Sequence, residues 1–197
     1  MFKNLPSLPL ARRWRGQKYP MASVLALISR SDDDGETRWL LIKRQVEPYA
    51  GKWALVGGKW DFGETLERSV TREVKEETGL NAGFVALRGV VNERVAPRSA
   101  EDEGGHFLLF VCQLHAPNGE ASEQYEGPVV WFSPAELNAL HAGGAIIPTD
   151  YTLLKQFGLS DPPLAYVEAD VVAGQNGDEF DELVRFTSTA QPSVVPE

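Results

Sequence analysis

Apolar residues fall in six short runs that are separated by polar or glycine-containing segments. Runs of this length, bounded by turn residues, are typical of buried or half-buried β-strands. They predict strands over 22–29, 39–43, 53–56, 85–95, 106–114 and 129–132. The third run ends at Gly57 and Gly58, which predicts a tight exit from that strand into a loop over 59–63.

A helical period appears once with clear ends. Leu66, Val70 and Val74 are spaced four residues apart, which predicts a helix over 65–78 with Glu64 or Thr65 at its start and Gly79 after its end. Two shorter helices are expected, one after Ser133 and Pro134 and one over 148–157.

The segments outside these elements divide the chain into three parts. We predict that residues 1–20 form an N-terminal lead-in segment, residues 21–158 one globular domain, and residues 159–197 a C-terminal extension. In the extension, alternating runs over Ala165–Val172 and 180–187 flank Gln175-Asn176-Gly177 and predict a β-hairpin. The sequence leaves two arrangements open for this hairpin. It could pair with its copy across a homodimer, or it could cover the functional site of the domain.

Composition and charge limit the kinds of partner that the chain can bind. The chain has 197 residues and a formal net charge of −9, so it has no general electrostatic attraction for nucleic acid. No apolar run approaches the roughly 20 residues of a membrane span, and the run over 21–28 leads into aspartates rather than a cleavage site. Cys112 is the only cysteine, which excludes an intrachain disulfide. We expect a cytoplasmic protein without membrane or nucleic-acid partners.

Three carboxylates lie close together on the predicted helix. Glu73, Glu76 and Glu77 occupy positions i, i+3 and i+4, within a wedge of about 100°. At 100° per residue, Glu77 falls near the direction of Leu66, so the acids border the buried face rather than lying opposite it. Like charges in such a place favour a hard divalent cation bound through oxygen.

The spacing around these acids resembles a known motif. Gly58 is followed by five residues and Glu64, then by seven residues and Arg72-Glu73-Val74-Lys75-Glu76-Glu77-Thr78-Gly79-Leu80. This is similar to the Nudix box, G-x5-E-x7-R-E-U-x-E-E-x-G-U, at every fixed position. The preceding Trp53-Ala54-Leu55-Val56-Gly57-Gly58 resembles the family's approach to the box, with Val56 where proline is common. The resemblance implies an α/β fold, the Nudix α/β/α sandwich with a mixed sheet.

The resemblance also implies a reaction and its residues. Nudix (MutT-like) hydrolases use Mg²⁺ or Mn²⁺ to hydrolyse a pyrophosphate bond in a nucleoside diphosphate derivative. The implied metal ligands are Glu73, Glu76, Glu77, the carbonyl of Gly57, and Glu126 from a later loop, with Glu123 as the second choice for that loop. Arg72 would hold a neighbouring carboxylate and Glu64 would brace the loop, so the catalytic set is Glu64, Arg72, Glu73, Glu76, Glu77 and Glu126.

Substrate contacts are expected before and within the box. Arg44 is a candidate phosphate partner and Tyr49 a candidate base-stacking residue, with Gly58 and Asp61 as further binding positions. The segment around Arg44 and Tyr49 resembles members that act on ADP-ribose, which we favour. The segment around Asp61 is similar to members that take nucleoside triphosphates, which is the alternative. A non-catalytic, nucleotide-sensing Nudix module is the third reading; its usual mark, loss of the box acids, is not seen here.

Overall fold

The structure is a computed structural model that describes residues 19–32, 35–46, 49–97, 104–116, 120–124, 126–158, 164–172 and 182–190. The expected lead-in before residue 19, the hairpin turn at 175–177 and the tail after residue 190 lie outside the described residues. The strands are β1 (Met21–Ser31), β2 (Thr37–Lys43), β3 (Trp53–Lys59), β4 (Gly83–Val95), β5 (Gly105–His115), β6 (Val129–Phe132), β7 (Ala165–Val172) and β8 (Glu182–Ala190). The helices are α1 (Leu66–Thr78), α2 (Pro134–Ala142) and α3 (Pro148–Leu153), and α3 continues as a π-helical turn over Leu154–Gly158.

The described strands join into one mixed sheet in the order β6-β2-β3-β1-β5-β4-β7-β8. β1 pairs with β5 and β4 with β7 in parallel, whereas the remaining pairs are antiparallel. The predicted mixed sheet is therefore confirmed.

Helices cover both faces of the sheet, each over its own apolar cluster. Val70 and Val74 of α1 pack with Val24, Val56 and Leu114 on one face. On the other face, residues of α2, α3 and the π-helical turn join β-strand side chains in a second cluster: Leu137, Leu153, Leu154 and Phe157 with Leu27, Leu41, Leu55 and Val111. The result is the expected α/β/α sandwich.

β3 is longer than its apolar run predicts. The strand does not end at the double glycine but continues to Lys59, because Gly57 pairs with Leu25 and Gly58 with Val24 of β1. A Cβ atom on Gly57 would lie 2.1 Å from the carbonyl oxygen of Val24, so this close pairing requires glycine. The prediction of a strand ending at the glycines was wrong because the pairing partner is distant in sequence.

The C-terminal hairpin is confirmed, and it extends the sheet of its own chain. β7 pairs in parallel with β4, and β8 pairs antiparallel with β7. Ala169 of β7 is fully buried in the cluster under α2 and α3. The hairpin therefore adds two strands beyond β4 and contributes to the core of the domain.

Candidate active site

Helix α1 has a defined start and end, which fixes the direction of its acidic side chains. The Thr65 side chain accepts a hydrogen bond from the Arg68 N–H at 3.2 Å, and Gly79 closes the helix in the left-handed conformation with φ 74°. Thr65 is thus the N-cap, as one of the two candidates predicted, and Gly79 takes the position expected for glycine.

The three box acids differ sharply in exposure. Glu77 is only 4% exposed, the side chain of Glu73 is 12% exposed, and that of Glu76 is 61% exposed. The helix wheel predicted that Glu77 borders the buried face, and its burial confirms this. Two of the carboxylates are therefore held out of bulk water, where each needs a compensating partner.

Arg72 is the cationic partner of Glu73 and Glu76, and it also pairs with Glu64. Its guanidinium donates to both carboxylate oxygens of Glu64, each at 3.0 Å, which is a bidentate pair. The Nη1 group also donates to Glu73 at 2.7 Å and to Glu76 at 3.2 Å, and Nη2 donates to the Lys59 carbonyl at 3.1 Å. The hydrogen bonds from Arg72 lower the pKa of Glu64 below its usual value. One cation thereby ties the start of α1, its acidic wedge and the end of β3 together.

The two glycines of β3 lie directly against the buried acids. The Gly57 N–H donates to Oε2 of Glu77 at 3.0 Å. At Gly58, a Cβ atom would lie 2.6 Å from the carboxylate of Glu73. Gly58 therefore leaves the space that the Glu73 carboxylate occupies, while Gly57 supplies a backbone N–H to Glu77.

Burial and mutual repulsion disfavour the charged forms of these acids. Burial raises the pKa of Glu73 to about 7, with Glu76 and Glu126 adding to the rise and Arg72 opposing it. Burial also raises the pKa of Glu77 well above its usual value, and the nearby Glu126 and Glu73 raise it further against the Gly57 N–H. The positive charge of Arg72 alone therefore does not compensate the negative charges of these carboxylates.

The later loop brings a further acid to the same place. Glu126, the first choice from the sequence, is exposed and interacts with both Glu77 and Glu73. Glu123, the second choice, is also exposed, and no contact between it and the box acids is observed. Of the two loop acids, the structure brings Glu126 to the cluster.

The donor set has the chemistry of a hard divalent cation site. Glu73, Glu77 and Glu126 offer only oxygen, and their mutual repulsion is what a bound cation would relieve. Among the described residues, no three His, Cys, Asp or Glu side chains are already arranged around one point at metal-binding distance. Metal binding would therefore require rotation of carboxylate side chains, which the exposed Glu76 and Glu126 can make.

The predicted substrate contacts are more scattered. Arg44 is half-buried at a turn closed by hydrogen bonds from its N–H to the Lys52 carbonyl and from the Gly51 N–H to its own carbonyl. Asp61 is exposed in the loop before α1. Tyr49 is 8% exposed and belongs to the apolar cluster under α1, so its ring is not the open surface that stacking on a base requires.

Among the residues that the structure describes, two buried acids lie outside the predicted site. Asp150, at the start of α3, is 6% exposed and accepts a hydrogen bond from the Leu55 N–H at 2.7 Å. Burial raises the pKa of Asp150 to about 7 against that hydrogen bond, with Glu93 raising it further and Arg44 lowering it. Burial likewise raises the pKa of Glu93. In the sequence, Asp150 follows Ile147-Pro148-Thr149 and reads as an ordinary acid in a first helical turn, so no local signal reveals its contact.

The fold and this cluster define an α/β/α sandwich with a carboxylate site where one helix meets the glycines of a central strand. The NUDIX domain model matches residues 20–151. The chain therefore belongs to the Nudix family, whose hydrolases are pyrophosphatases that act on phosphorus anhydrides and generally need divalent metal ions. The predicted resemblance is confirmed.

Individual relatives extend this result. The chain is 35% identical over 109 residues to an ADP-ribose pyrophosphatase of Methanocaldococcus jannaschii, covering 55% of this chain and 59% of that protein. It is 31% identical over 135 residues to the CTP pyrophosphohydrolase of Escherichia coli, covering 68% and 88%. A MutT NUDIX hydrolase structure from Burkholderia pseudomallei is 31% identical with a TM-score of 0.54, covering 71% of this chain and 98% of the other. The chain spans less than two thirds of the length of the archaeal relative.

Within the part of the chain that the structure describes, no helix is both long enough and apolar enough to span a bilayer.

Proposed function

We propose that this protein hydrolyses the pyrophosphate bond of a nucleoside diphosphate derivative, with an ADP-ribose-like molecule as the favoured substrate. The observation that carries the proposal is the burial of Glu73 and Glu77 beside Glu126, at the end of a strand with no side chain at Gly57 and Gly58. Uncompensated carboxylates at that point favour a divalent cation, and a cation there would face an anionic ligand.

Each residue has a part in holding that ion. Glu73 and Glu77 are the proposed ligands from α1, with Glu76 and Glu126 closing the site from its exposed side and the Gly57 carbonyl completing it. Mg²⁺ or Mn²⁺ bound there would neutralise phosphate charge and make a water molecule more acidic. Arg72 keeps Glu73 and Glu76 oriented while it fastens Glu64, and so holds the acidic wedge in place.

The proposed reaction adds water across the anhydride. The water oxygen bonds to one phosphorus, the bond from that phosphorus to the bridging oxygen breaks, and the leaving phosphate receives a proton. Glu126 is the proposed general base because it is exposed, lies beside Glu73 and Glu77 and can reach water, whereas the other exposed acid, Glu76, accepts a hydrogen bond from Arg72. From an ADP-ribose-like substrate the products are two phosphate monoesters.

The favoured substrate has support from a relative's name. The Methanocaldococcus jannaschii protein, 35% identical in the aligned part, is an ADP-ribose pyrophosphatase. Arg44 lies at the turn before β3, and we propose it as a phosphate contact, with Gly58 and Asp61 on the approach to the cluster. Tyr49 is left out because it is a core residue.

A nucleoside triphosphate is the second candidate. The Escherichia coli CTP pyrophosphohydrolase matches over 88% of its length, which is a longer alignment than that with the archaeal relative. Such an activity would release a nucleoside monophosphate and pyrophosphate, so the products separate the two candidates.

A substrate panel tests the proposal. Purified protein would be incubated with ADP-ribose, dinucleoside polyphosphates and deoxynucleoside triphosphates, each with Mg²⁺ or Mn²⁺, and the products separated by chromatography. We expect the wild type to produce AMP and ribose 5-phosphate from ADP-ribose, and Glu77→Gln not to do so. Tight ADP-ribose binding without turnover of any compound would instead identify a nucleotide-sensing module.

A further inference from the structure

One edge of β3 is held by two carboxylates from opposite sides of the sheet. The Leu55 N–H donates to Asp150 at 2.7 Å, and the Gly57 N–H donates to Glu77 at 3.0 Å. N–H groups two residues apart leave the same edge of a strand, and they are separated by about 7 Å. Asp150 comes from α3 and Glu77 from α1, so each helical layer supplies one acceptor to this edge.

The segment that carries Asp150 is itself fixed to β3. The Trp53 N–H donates to the Ala145 carbonyl at 2.8 Å, and the Ile147 N–H donates to the Trp53 carbonyl at 2.9 Å. These bonds place the start of α3 alongside the strand, two residues before Leu55. Asp150 therefore reaches Leu55 from a rigid base rather than from a freely moving loop.

On this edge of β3, the hydrogen bond from the Leu55 N–H to Asp150 is the last contact before the proposed metal site. Residues 54–58 pair with β2 and β1. Along the edge that carries Asp150, however, the next contact after Leu55 is Glu77. A shift of the strand at Leu55 would thus be passed to the backbone of Gly57, because only Val56 separates them.

We propose that Asp150 is a positioning residue of the metal site: by holding the Leu55 N–H, it sets the place of Gly57 and, through it, of the Glu77 carboxylate. This inference rests on the proposed function, which makes Glu77 and the Gly57 carbonyl metal ligands. The acceptor oxygen of Asp150 carries the effect, and its negative charge does not, since the bond is to a neutral N–H group.

Metal affinity tests the inference without reliance on turnover. Binding of Mn²⁺ would be measured by electron paramagnetic resonance in the full chain. Asp150→Ala is expected to weaken binding about tenfold, as loss of a partner outside the ligand shell commonly does. Asp150→Asn keeps an acceptor oxygen and should bind Mn²⁺ nearly as well as the wild type. Equal losses in both variants, or no loss in Asp150→Ala, would overturn the inference.

A matched control separates positioning from general damage to α3. Tyr151→Phe removes the hydrogen bond from the Tyr151 hydroxyl to Asn138 at 2.8 Å, which joins α3 to α2 without touching β3. We expect it to leave Mn²⁺ affinity unchanged. If Tyr151→Phe weakens Mn²⁺ binding as much as Asp150→Ala, Asp150 has only a structural effect.

A measurement on the wild type covers the case in which Asp150→Ala does not fold. Coupling between two sites is reciprocal, so Mg²⁺ should strengthen the Asp150 contact. Hydrogen exchange followed by NMR should show that Mg²⁺ slows the Leu55 and Gly57 amides more than that of Val91 in β4. Slowing at Gly57 with none at Leu55 would overturn the inference. Absence of Mn²⁺ binding in the wild type would instead count against the proposed function.

Discussion

Glu77 and Asp150 accept hydrogen bonds from N–H groups two residues apart on the same edge of β3, at 3.0 Å and 2.7 Å. Glu77 is part of the Nudix box, whereas Asp150 lies 95 positions from the residue it contacts. Both carboxyls are buried, and the pKa of each is raised mainly by that burial. β3 therefore joins the carboxylate site on the α1 side to a second buried acid on the α3 side.

The first prediction concerns Glu77. Glu77→Gln removes one charge and keeps the size of the side chain, and its amide oxygen can still accept from the Gly57 N–H. We expect metal-dependent turnover to fall by about 100-fold or more, because a buried proposed ligand is neutralised. Thermal unfolding should remain cooperative with an unchanged or higher midpoint, since a disfavoured buried charge is gone. Retained turnover would show that Glu77 is not a metal ligand.

The second prediction separates the two glycines of β3. Gly57→Ala would place its Cβ 2.1 Å from a backbone oxygen of β1, so the strand pair must open and we expect a loss of several kcal/mol of unfolding free energy. Gly58→Ala would instead press on the Glu73 carboxylate at 2.6 Å, a side chain that can move. We expect Gly58→Ala to fold but to bind Mn²⁺ weakly.

Gly83→Ala serves as the control for both variants, because its nearest contact would be 3.9 Å away. Chemical denaturation measures stability, and electron paramagnetic resonance measures Mn²⁺ binding. Equal stability losses in Gly57→Ala and Gly58→Ala would contradict the distinction between a backbone neighbour and a side-chain neighbour.

The features that could be predicted from the sequence are those encoded locally. The α1 stripe of Leu66, Val70 and Val74, with Thr65 before it and Gly79 after it, fixes a helix and the direction of its acids. Apolar runs likewise predict where the strands lie, although they do not predict the residues at which each strand begins and ends. Because the box is continuous in sequence, its acids could be placed at the edge of the buried face without knowledge of the rest of the fold.

The features that could not be predicted depend on distant partners. Asp150 reads as an acid in the first turn of a helix, and its contact with Leu55 exists only once α3 packs against β3. Tyr49 stands in a glycine- and proline-containing loop, where an aromatic residue can be a binding surface or, as here, part of the core. The pairing of β7 with β4 depends on register between strands that are far apart in the chain.

The third prediction concerns the hydrogen bonds that the guanidinium group of Arg72 donates. Arg72→Lys keeps a positive charge but cannot make the bidentate contact with Glu64 together with the bonds to Glu73 and the Lys59 carbonyl. We expect a stability loss of about 1–3 kcal/mol, because partly buried acceptors lose their donors. Metal affinity should fall as well, since Glu73 loses the group that orients it.

Arg68→Lys on the same helix is the comparison for this variant. No side-chain contact of Arg68 with the box acids is observed, so we expect little change in stability or in metal affinity. Unfolding in urea and Mn²⁺ titration would be measured for both variants. If Arg72→Lys matches Arg68→Lys in both measurements, the several hydrogen bonds of the Arg72 guanidinium are not needed for stability or for metal affinity.

The fourth prediction concerns the pH dependence of stability in metal-free buffer. The pKa of Asp150 is about 7 in the folded protein, against an ordinary value of 3.8. The folded state therefore binds more protons than the unfolded state between these values, and stability falls as the pH rises from about 4 to about 7. Glu73, Glu77 and Glu93 act in the same direction. Urea midpoints should thus be higher at about pH 5.5 than at about pH 8.

Asp150→Asn isolates the part of this pH dependence that belongs to Asp150. The variant lacks the titrating group but keeps an oxygen for the Leu55 N–H, so its stability should depend less steeply on pH than that of the wild type. The two proteins should differ most near pH 8, where the wild-type carboxyl is charged, buried and near Glu93, and the Asn variant should be the more stable there. Parallel profiles for the two proteins between about pH 5 and 8 would mean that Asp150 titrates near its ordinary value and that its burial is relieved in solution.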